Sequence, residues 1–95
     1  MIRSYRGAYA EDIHKKRKPS KGFPAELVKV ARRKLVMVNT AVLLSDLASP
    51  PGNQLEALER NLTGKHSIRV NDQWRVIFRW TGAGPEDVEL SKHYS

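Results

Sequence analysis

The apolar residues of this chain change their spacing near its middle. From Leu27 to Val42 they recur at steps of three and four, which predicts an amphipathic helix of about four turns. In residues 67–70 and 74–80 they alternate, which predicts two half-buried strands, because successive side chains of a strand leave on opposite faces. Weaker patterns predict an edge strand at residues 1–5, a helix at 8–18, a strand at 54–60 and a last strand at 87–94. This order favours an α+β fold in which two N-terminal helices pack on one face of a small twisted antiparallel sheet and leave the other face open.

The alternation also predicts which face each arginine occupies. Arg69, Arg75 and Arg79 are out of phase with the apolar residues of their strands, so they should project from the open face. His93 of the last strand should join them. Guanidinium groups and an imidazole on one surface suit phosphodiester cleavage without a metal ion, because arginine stabilises phosphate charge and imidazole transfers protons. On RNA, the neighbouring 2′-hydroxyl group would be the nucleophile.

The same arginines also have a purely structural interpretation. They could form surface ion pairs with acidic residues on neighbouring strands, and such pairs add little stability and imply no function. The acidic residues available for this are Glu56, Glu59, Asp72 and Glu89. The residue pattern by itself leaves both interpretations open.

The composition favours one small domain over residues 1–95. There is no cysteine, and no apolar run approaches the roughly 20 residues that span a bilayer. The first residues lack the apolar core of a signal peptide, so we expect a cytoplasmic protein without a membrane association. The three histidines are far apart and no familiar metal or phosphate-loop motif occurs, so we expect neither a metal ion nor a cofactor.

The net charge of +7 is unevenly distributed. Residues 1–35 hold 11 Lys/Arg and 3 acidic residues, whereas residues 36–95 hold 6 Lys/Arg and 7 acidic residues. Such an asymmetry indicates attraction to a polyanion, although a solubilising helix face is the alternative for residues 15–18. The candidate residues for docking on such a polyanion or on an acidic partner are Lys15, Lys16, Arg17, Lys18, Arg32 and Arg33.

Three segments resemble the HigB (plasmid-maintenance killer) toxins of the RelE/ParE superfamily: SPPGNQLEAL, GKHSIRVNDQWRVIFRW and GPEDVEL. The resemblance covers most of the chain and is close from Ser49 to Leu90. It implies a RelE/ParE-like fold and a bacterial type II toxin that cuts mRNA on translating ribosomes. It also implies three kinds of partner: a HigA-type helix-turn-helix antitoxin, the ribosome with its mRNA, and operator DNA contacted indirectly through the antitoxin complex.

The resemblance carries the family's two motif arginines onto Arg69 and Arg75. Many members end in Asp-Tyr-His, where this chain has Lys92, His93 and Tyr94. The aspartate is thus replaced by lysine, and the tyrosine and histidine are exchanged. We therefore expect His93 to be the first candidate for proton transfer and Tyr94 the second.

Many members also carry a histidine where this chain has Glu59. These departures keep two alternatives open, a ParE-like toxin that poisons DNA gyrase without RNA chemistry and a binding module that acts mainly in antitoxin-mediated DNA repression. Additional candidates for RNA or phosphate binding are Lys92, Arg79, Lys65, Asn71 and Arg60.

Overall fold

The computed structural model describes residues 1–18 and 21–92. Within these ranges two α-helices precede four strands. The helices are α1, Ala10–His14, and α2, Val28–Thr40, and the strands are β1, Glu56–Ala57, β2, Lys65–Arg69, β3, Trp74–Thr81, and β4, Gly84–Lys92. Short 3-10 turns lie at Ala25–Leu27, Leu44–Ala48, Pro51–Asn53 and Arg60–Leu62. Across these ranges, no helix has the length and apolar character needed to cross a bilayer.

The described strands form one antiparallel sheet in the order β1-β2-β3-β4. The turn between β2 and β3 is closed by Asn71, whose Oδ1 accepts the backbone N–H groups of Gln73 at 2.9 Å and Trp74 at 2.7 Å. Asparagine favours turns because its side chain can bond to the backbone two residues further on. The resulting register places Ile68 opposite Val76, two residues that the alternation assigns to the apolar faces of their strands.

The hydrophobic core lies between the helices and one face of the sheet. Ala31, Leu35 and Val38 share the buried side of α2, and each is fully buried. The sheet contributes Ile68, Val76, Phe78, Val88 and Leu90. The α+β class is therefore confirmed, with α2 as the one main helix. The predicted amphipathic helix is confirmed over Val28–Thr40, whereas Val42 lies beyond its end and is 82% exposed.

The first helix is shorter than the sequence predicts. It spans Ala10–His14 rather than residues 8–18. Lys16 lies in the left-handed region at φ 61°, where an α-helix cannot continue. Only Ala10 and Ile13 of this helix are buried, so little apolar area stabilises a longer one.

The N-terminal segment, residues 1–6, lies along the outer edge of β4, and we call it the N-terminal strap. The sequence predicts an edge strand over its first five residues, but only Tyr5 pairs, in an isolated parallel bridge to Val88. The backbone N–H of Val88 donates to the carbonyl of Ser4 at 3.0 Å. Asp87, at φ 51°, shifts the register beside Val88 and bends this edge, so no continuous ladder forms.

The predicted strand at residues 54–60 is mostly irregular. Only Glu56–Ala57 pairs with β2. Gln54 at φ 46° and Arg60 at φ 60° adopt left-handed conformations that turn the chain on either side of this short strand. The segment therefore extends the sheet by only the two residues of β1, and its remaining residues do not continue the ladder.

Candidate active site

The sheet face turned away from α2 carries most of the cationic residues of the strands. Cross-strand pairs place Lys65 opposite Arg79 and Arg69 opposite Arg75 on β2 and β3, and Arg75 opposite Ser91 on β4. We call this surface the polar face, which consists of Lys65, Ser67, Arg69, Arg75, Ile77, Arg79, Glu86, Glu89 and Ser91. The prediction that the three arginines share one face is confirmed.

The polar face is not fully open, and in this respect the sequence-based expectation is wrong. Ser67 is completely buried, Lys65 is 5% exposed and Arg75 is 9% exposed. The reason is the segment 54–62, which turns at its left-handed residues and covers part of the sheet. This cover converts a flat surface into a cleft.

Arg75 forms the floor of this cleft. Its Nη1 donates to Ser67 Oγ at 2.9 Å and lies 3.4 Å from Glu56 Oε1. Two longer contacts, each 3.5 Å, join its Nη1 and Nη2 to the backbone and side-chain oxygens of Gln54. A guanidinium held in one orientation by several acceptors is suited to bidentate recognition of a phosphate.

Arg69 lies beside Arg75 in the register of β2 and β3. Its Nη2 bonds to Asp72 Oδ1 across the turn. Asp72 is 91% exposed, so a pair with it is weakened by solvent and can exchange for a phosphate oxygen. The structural interpretation of these arginines is thus partly confirmed, because Arg69 and Arg75 each have an acidic neighbour, Asp72 and Glu56.

The cleft has a volume of about 340 Å³ and lies between the segment 54–62 and the polar face. It is lined by Leu58, Glu59, Leu62, Ser67, Arg75, Ile77, Ser91 and Lys92. It therefore brings one guanidinium, one ammonium, one carboxylate and two hydroxyl groups together against an apolar wall. Such a mixture of one apolar side and few polar groups is typical of a ligand site.

Lys92 occupies a boundary between the two faces of the sheet. Its register partner is Trp74, and its Nζ lies 5.9 Å from the centroid of that ring. It also lines the cleft. Trp74 itself is only 4% exposed and packs edge-on against Phe23, so it is a core residue.

Lys65 and Arg79 lie on the polar face but do not line the cleft. Nζ of Lys65 is 3.9 Å from Glu89 Oε2. Arg79 is exposed, and its Nη1 lies 2.8 Å from the point where a Cβ at Gly64 would sit. Both cations thus lie at one end of the β2–β3 pairing, and Arg69 and Arg75 lie at the other.

Two further candidates for RNA binding, Asn71 and Arg60, take part in turns of the backbone. The Oδ1 atom of Asn71 is used to build the β2–β3 turn. Arg60 is exposed in its left-handed conformation, and its carbonyl accepts the backbone N–H of Thr63 at 3.1 Å. The structure does not bring either side chain into the cleft.

His93 and Tyr94, the two candidates for proton transfer, lie outside the described residues. They follow Lys92 directly in the sequence. Among residues 1–18 and 21–92, no group of three acidic or histidine side chains has the geometry to hold a metal ion.

Comparison with known proteins places this arrangement in a family. The model described as the RelE-like toxin of the type II toxin-antitoxin system HigB matches residues 3–93. This chain belongs to the HigB-like toxin family. Toxin HigB-1 of Vibrio cholerae serotype O1 is 36% identical over 93 residues, which cover 98% of either chain. An uncharacterized protein of Haemophilus influenzae is 37% identical over 89 residues, which cover 94% of this chain and 82% of that protein.

Membership in the family makes this chain a toxin of a type II toxin–antitoxin system. A toxin of this class is paired with an antitoxin. The fold agrees with the RelE-like description, since one main helix packs on a four-stranded antiparallel sheet within the described ranges.

The basic segment of this HigB-like toxin, residues 15–18, is only partly available to a partner. Lys15 pairs with Glu11 at 2.8 Å, and Arg17 lies 3.3 Å from Asp12. Lys16 and Lys18 are exposed and make no ion pair with any residue that the structure describes.

The two α2 candidates differ in the same way. Nε of Arg32 donates to the carbonyl of Ile13 at 2.9 Å and so joins α2 to α1, while Arg33 is exposed. Arg33 therefore remains the better candidate for docking.

Sequence reasoning missed Gln54 as a site residue. Both of its oxygens face Arg75, yet a run predicted to be a strand gave no reason to expect this contact. The signal that could have found it is the preceding Pro-Pro-Gly-Asn, which is typical of a turn rather than a strand.

Proposed function

We propose that this toxin is a metal-independent endoribonuclease that cuts mRNA on the translating ribosome. The observation that carries the proposal is the mostly buried Arg75 guanidinium at the floor of the cleft, bonded to Ser67 Oγ and flanked by Arg69. A preorganised guanidinium stabilises the charge that develops on a phosphate in the transition state without first having to reorient.

In the proposed reaction, O2′ of a ribose attacks the adjacent phosphorus and the P–O5′ bond breaks. The products are a 2′,3′-cyclic phosphate and a free 5′-hydroxyl group. Arg75 and Arg69 bind the non-bridging oxygens. His93 is the first candidate for accepting the O2′ proton or donating a proton to O5′, and Tyr94 is the second.

The remaining cations increase the affinity for RNA. Lys92 at the cleft, with Lys65 and Arg79 further along the polar face, attracts the phosphates on either side of the cut. Asn71 and Arg60 stay candidates for contacts outside the cleft.

The proposed partners are a HigA-type helix-turn-helix antitoxin and the ribosome carrying mRNA. Operator DNA is then contacted indirectly, through the antitoxin complex. The basic N-terminal third supports the ribosome as a partner, because it attracts a polyanion. A ribosomal substrate places the protein in the bacterial cytoplasm.

The test is a translation reaction programmed with a defined mRNA, in which the new 5′ ends are mapped after the toxin is added. We expect cuts in phase with codons. Arg75→Ala should lower the cutting rate by about 100- to 1,000-fold, and His93→Ala should lower it as well. Arg3→Ala is the matched control, since it removes an exposed guanidinium away from the polar face.

Intact mRNA together with inhibited DNA supercoiling would replace this proposal by a gyrase-poisoning function of the ParE kind. Intact mRNA without gyrase inhibition, but with repression of operator DNA in the antitoxin complex, would favour the binding-module alternative. Lys92 and Glu59 are the departures from the family pattern that make both outcomes worth measuring.

A further inference from the structure

Lys34 is a buried cation that the proposed chemistry does not use. It lies on α2 and is only 6% exposed. No carboxylate of the described residues lies within ion-pair distance of its ammonium group. Burial lowers the pKa of Lys34, and the nearby positive charges of Arg33 and Arg69 lower it further. A buried charge without a counter-ion is unfavourable unless it is well hydrogen-bonded.

The partner of Lys34 is Asn53, which is completely buried. Nζ of Lys34 donates to Asn53 Oδ1 at 2.5 Å. The amide nitrogen of Asn53 donates to the carbonyls of Leu47 at 3.2 Å and Ser49 at 3.3 Å. Asn53 therefore joins α2 to Leu47 and Ser49, in the loop that leads into the cleft. These three hydrogen bonds hold its side chain in place.

The backbone turns at the residue directly after Asn53, so the side chains before and after this turn point to different sides of the segment. Gln54 adopts a left-handed conformation at φ 46°. Because of this turn, Asn53 points inward to α2, while Gln54 and Glu56 present three oxygens to the Arg75 guanidinium at 3.4–3.5 Å. The buried pair and the phosphate-binding arginine are thus connected by one residue of backbone.

We propose that Lys34 is a positioning residue for Arg75, acting through Asn53 and the segment 54–56. Without the ammonium group, Asn53 Oδ1 loses its charged donor, and the bond that still joins Asn53 to α2 is the weak one from its Nδ2 to Met37 Sδ at 3.7 Å. The three oxygens would then move relative to Arg75. This inference rests on the proposed endoribonuclease function, because it assigns Lys34 a role in the orientation of the group that binds the phosphate.

The test compares Lys34→Met with Lys29→Met in the full chain. Both substitutions replace a lysine of α2 by a helix-forming residue of similar length, but Lys29 is exposed. We expect Lys34→Met to lower kcat on programmed ribosomes by about 10- to 100-fold, because small misplacements of a reacting group are costly. KM should stay the same, because Arg75 keeps its charge. Lys29→Met should match the unmodified toxin in both constants.

A second readout does not depend on activity. In the folded toxin, the 15N-labelled guanidinium of Arg75 should give resolved signals that report slow rotation about the Nε–Cζ bond. We expect Lys34→Met to average these signals and Lys29→Met to preserve them. If the unmodified toxin cuts no RNA, the proposed function fails, while this spectrum still decides whether Lys34 orders Arg75.

Gln54→Gly tests the last step of the connection without disturbing the core. Gln54 is exposed, and glycine adopts its left-handed conformation without strain. We expect this variant to lower kcat and to average the Arg75 signals, and a further Lys34→Met substitution to add less than it does alone. Unchanged kcat and unchanged Arg75 signals in either Lys34→Met or Gln54→Gly would overturn the proposal.

Discussion

The oxygens around Arg75 differ in charge, and the difference matters for its proposed role. Ser67 Oγ and the two oxygens of Gln54 are neutral, while Glu56 supplies the one carboxylate within 4.0 Å among the described residues. Neutral acceptors orient a guanidinium without cancelling its charge. Glu56 is exposed on the cover of the cleft, so a phosphate can displace it.

His14 does not line the cleft, and its pKa is set mainly by burial. Its Nδ1 is hydrogen-bonded to the hydroxyl of Tyr5, next to Lys15 and Glu11. Burial lowers the pKa of His14, and the positive charge of Lys15 adds to this effect. In the unfolded chain its pKa returns to about 6.5.

We expect acidification to lower the free energy of unfolding through His14. Between the lowered folded pKa and about 6.5, the unfolded state binds more protons, so stability falls as the pH decreases through this window. His14→Gln should remove this part of the pH dependence. Urea denaturation of both proteins at several pH values from neutral downwards measures it, and parallel curves for the two proteins would contradict the assignment.

At the scale of elements, the N-terminal strap covers the outer edge of β4. An exposed strand edge is prone to pair with other chains, and covering it with a neighbouring segment avoids this. The backbone N–H of Arg3 donates to the carbonyl of Pro85 at 2.8 Å, close to the β3–β4 turn. Glycine at position 84 makes this approach possible, because a Cβ there would lie 2.4 Å from the carbonyl oxygen of Met1.

We expect Gly84→Ala to destabilise the fold by about 1–3 kcal/mol, because alanine is strained at φ 127° and would also displace the strap. Gly82→Ala in the same turn is the matched control, since a Cβ added there would have no atom within 4 Å and its φ is ordinary. Chemical denaturation gives the free energy of unfolding of both variants. Equal stabilities would show that the strap does not depend on this close approach.

At the scale of the whole molecule, the uneven charge is partly balanced within the N-terminal third itself. Glu11 and Asp12 pair with Lys15 and Arg17, which leaves Lys16 and Lys18 without an acidic partner among the described residues. A cation that is already paired releases fewer counter-ions when it binds a polyanion. The two free lysines should therefore dominate the electrostatic attraction of this segment.

We expect the double substitution of Lys16 and Lys18 by Gln to reduce the salt dependence of ribosome binding, lowering the magnitude of the slope of log K against log salt by roughly 1.4–1.8 units. The double substitution of Lys15 and Arg17 by Gln should change the slope less, because Glu11 and Asp12 already neutralise these cations. Affinity measured over a range of salt concentrations tests both. Equal changes in the two variants would mean that the internal ion pairs are irrelevant to docking.

The sequence by itself determined the features that depend on local periodicity. The spacing of apolar residues in α2 fixed its buried side, and the alternation in β2 and β3 fixed the face of Arg69 and Arg75. The Asn71 turn then set the register between these strands. Each of these features follows from neighbours a few residues apart, so a linear pattern records it.

Only the tertiary structure decided how this face becomes a cleft. The contacts of Gln54 with Arg75, the contact of Lys34 with Asn53 and the cover over Ser67 all join residues that are distant along the chain. Their positions depend on packing between α2, the loop and the sheet, which no local repeat encodes. The arginines could therefore be assigned to a face from the sequence, but their orientation and burial could not.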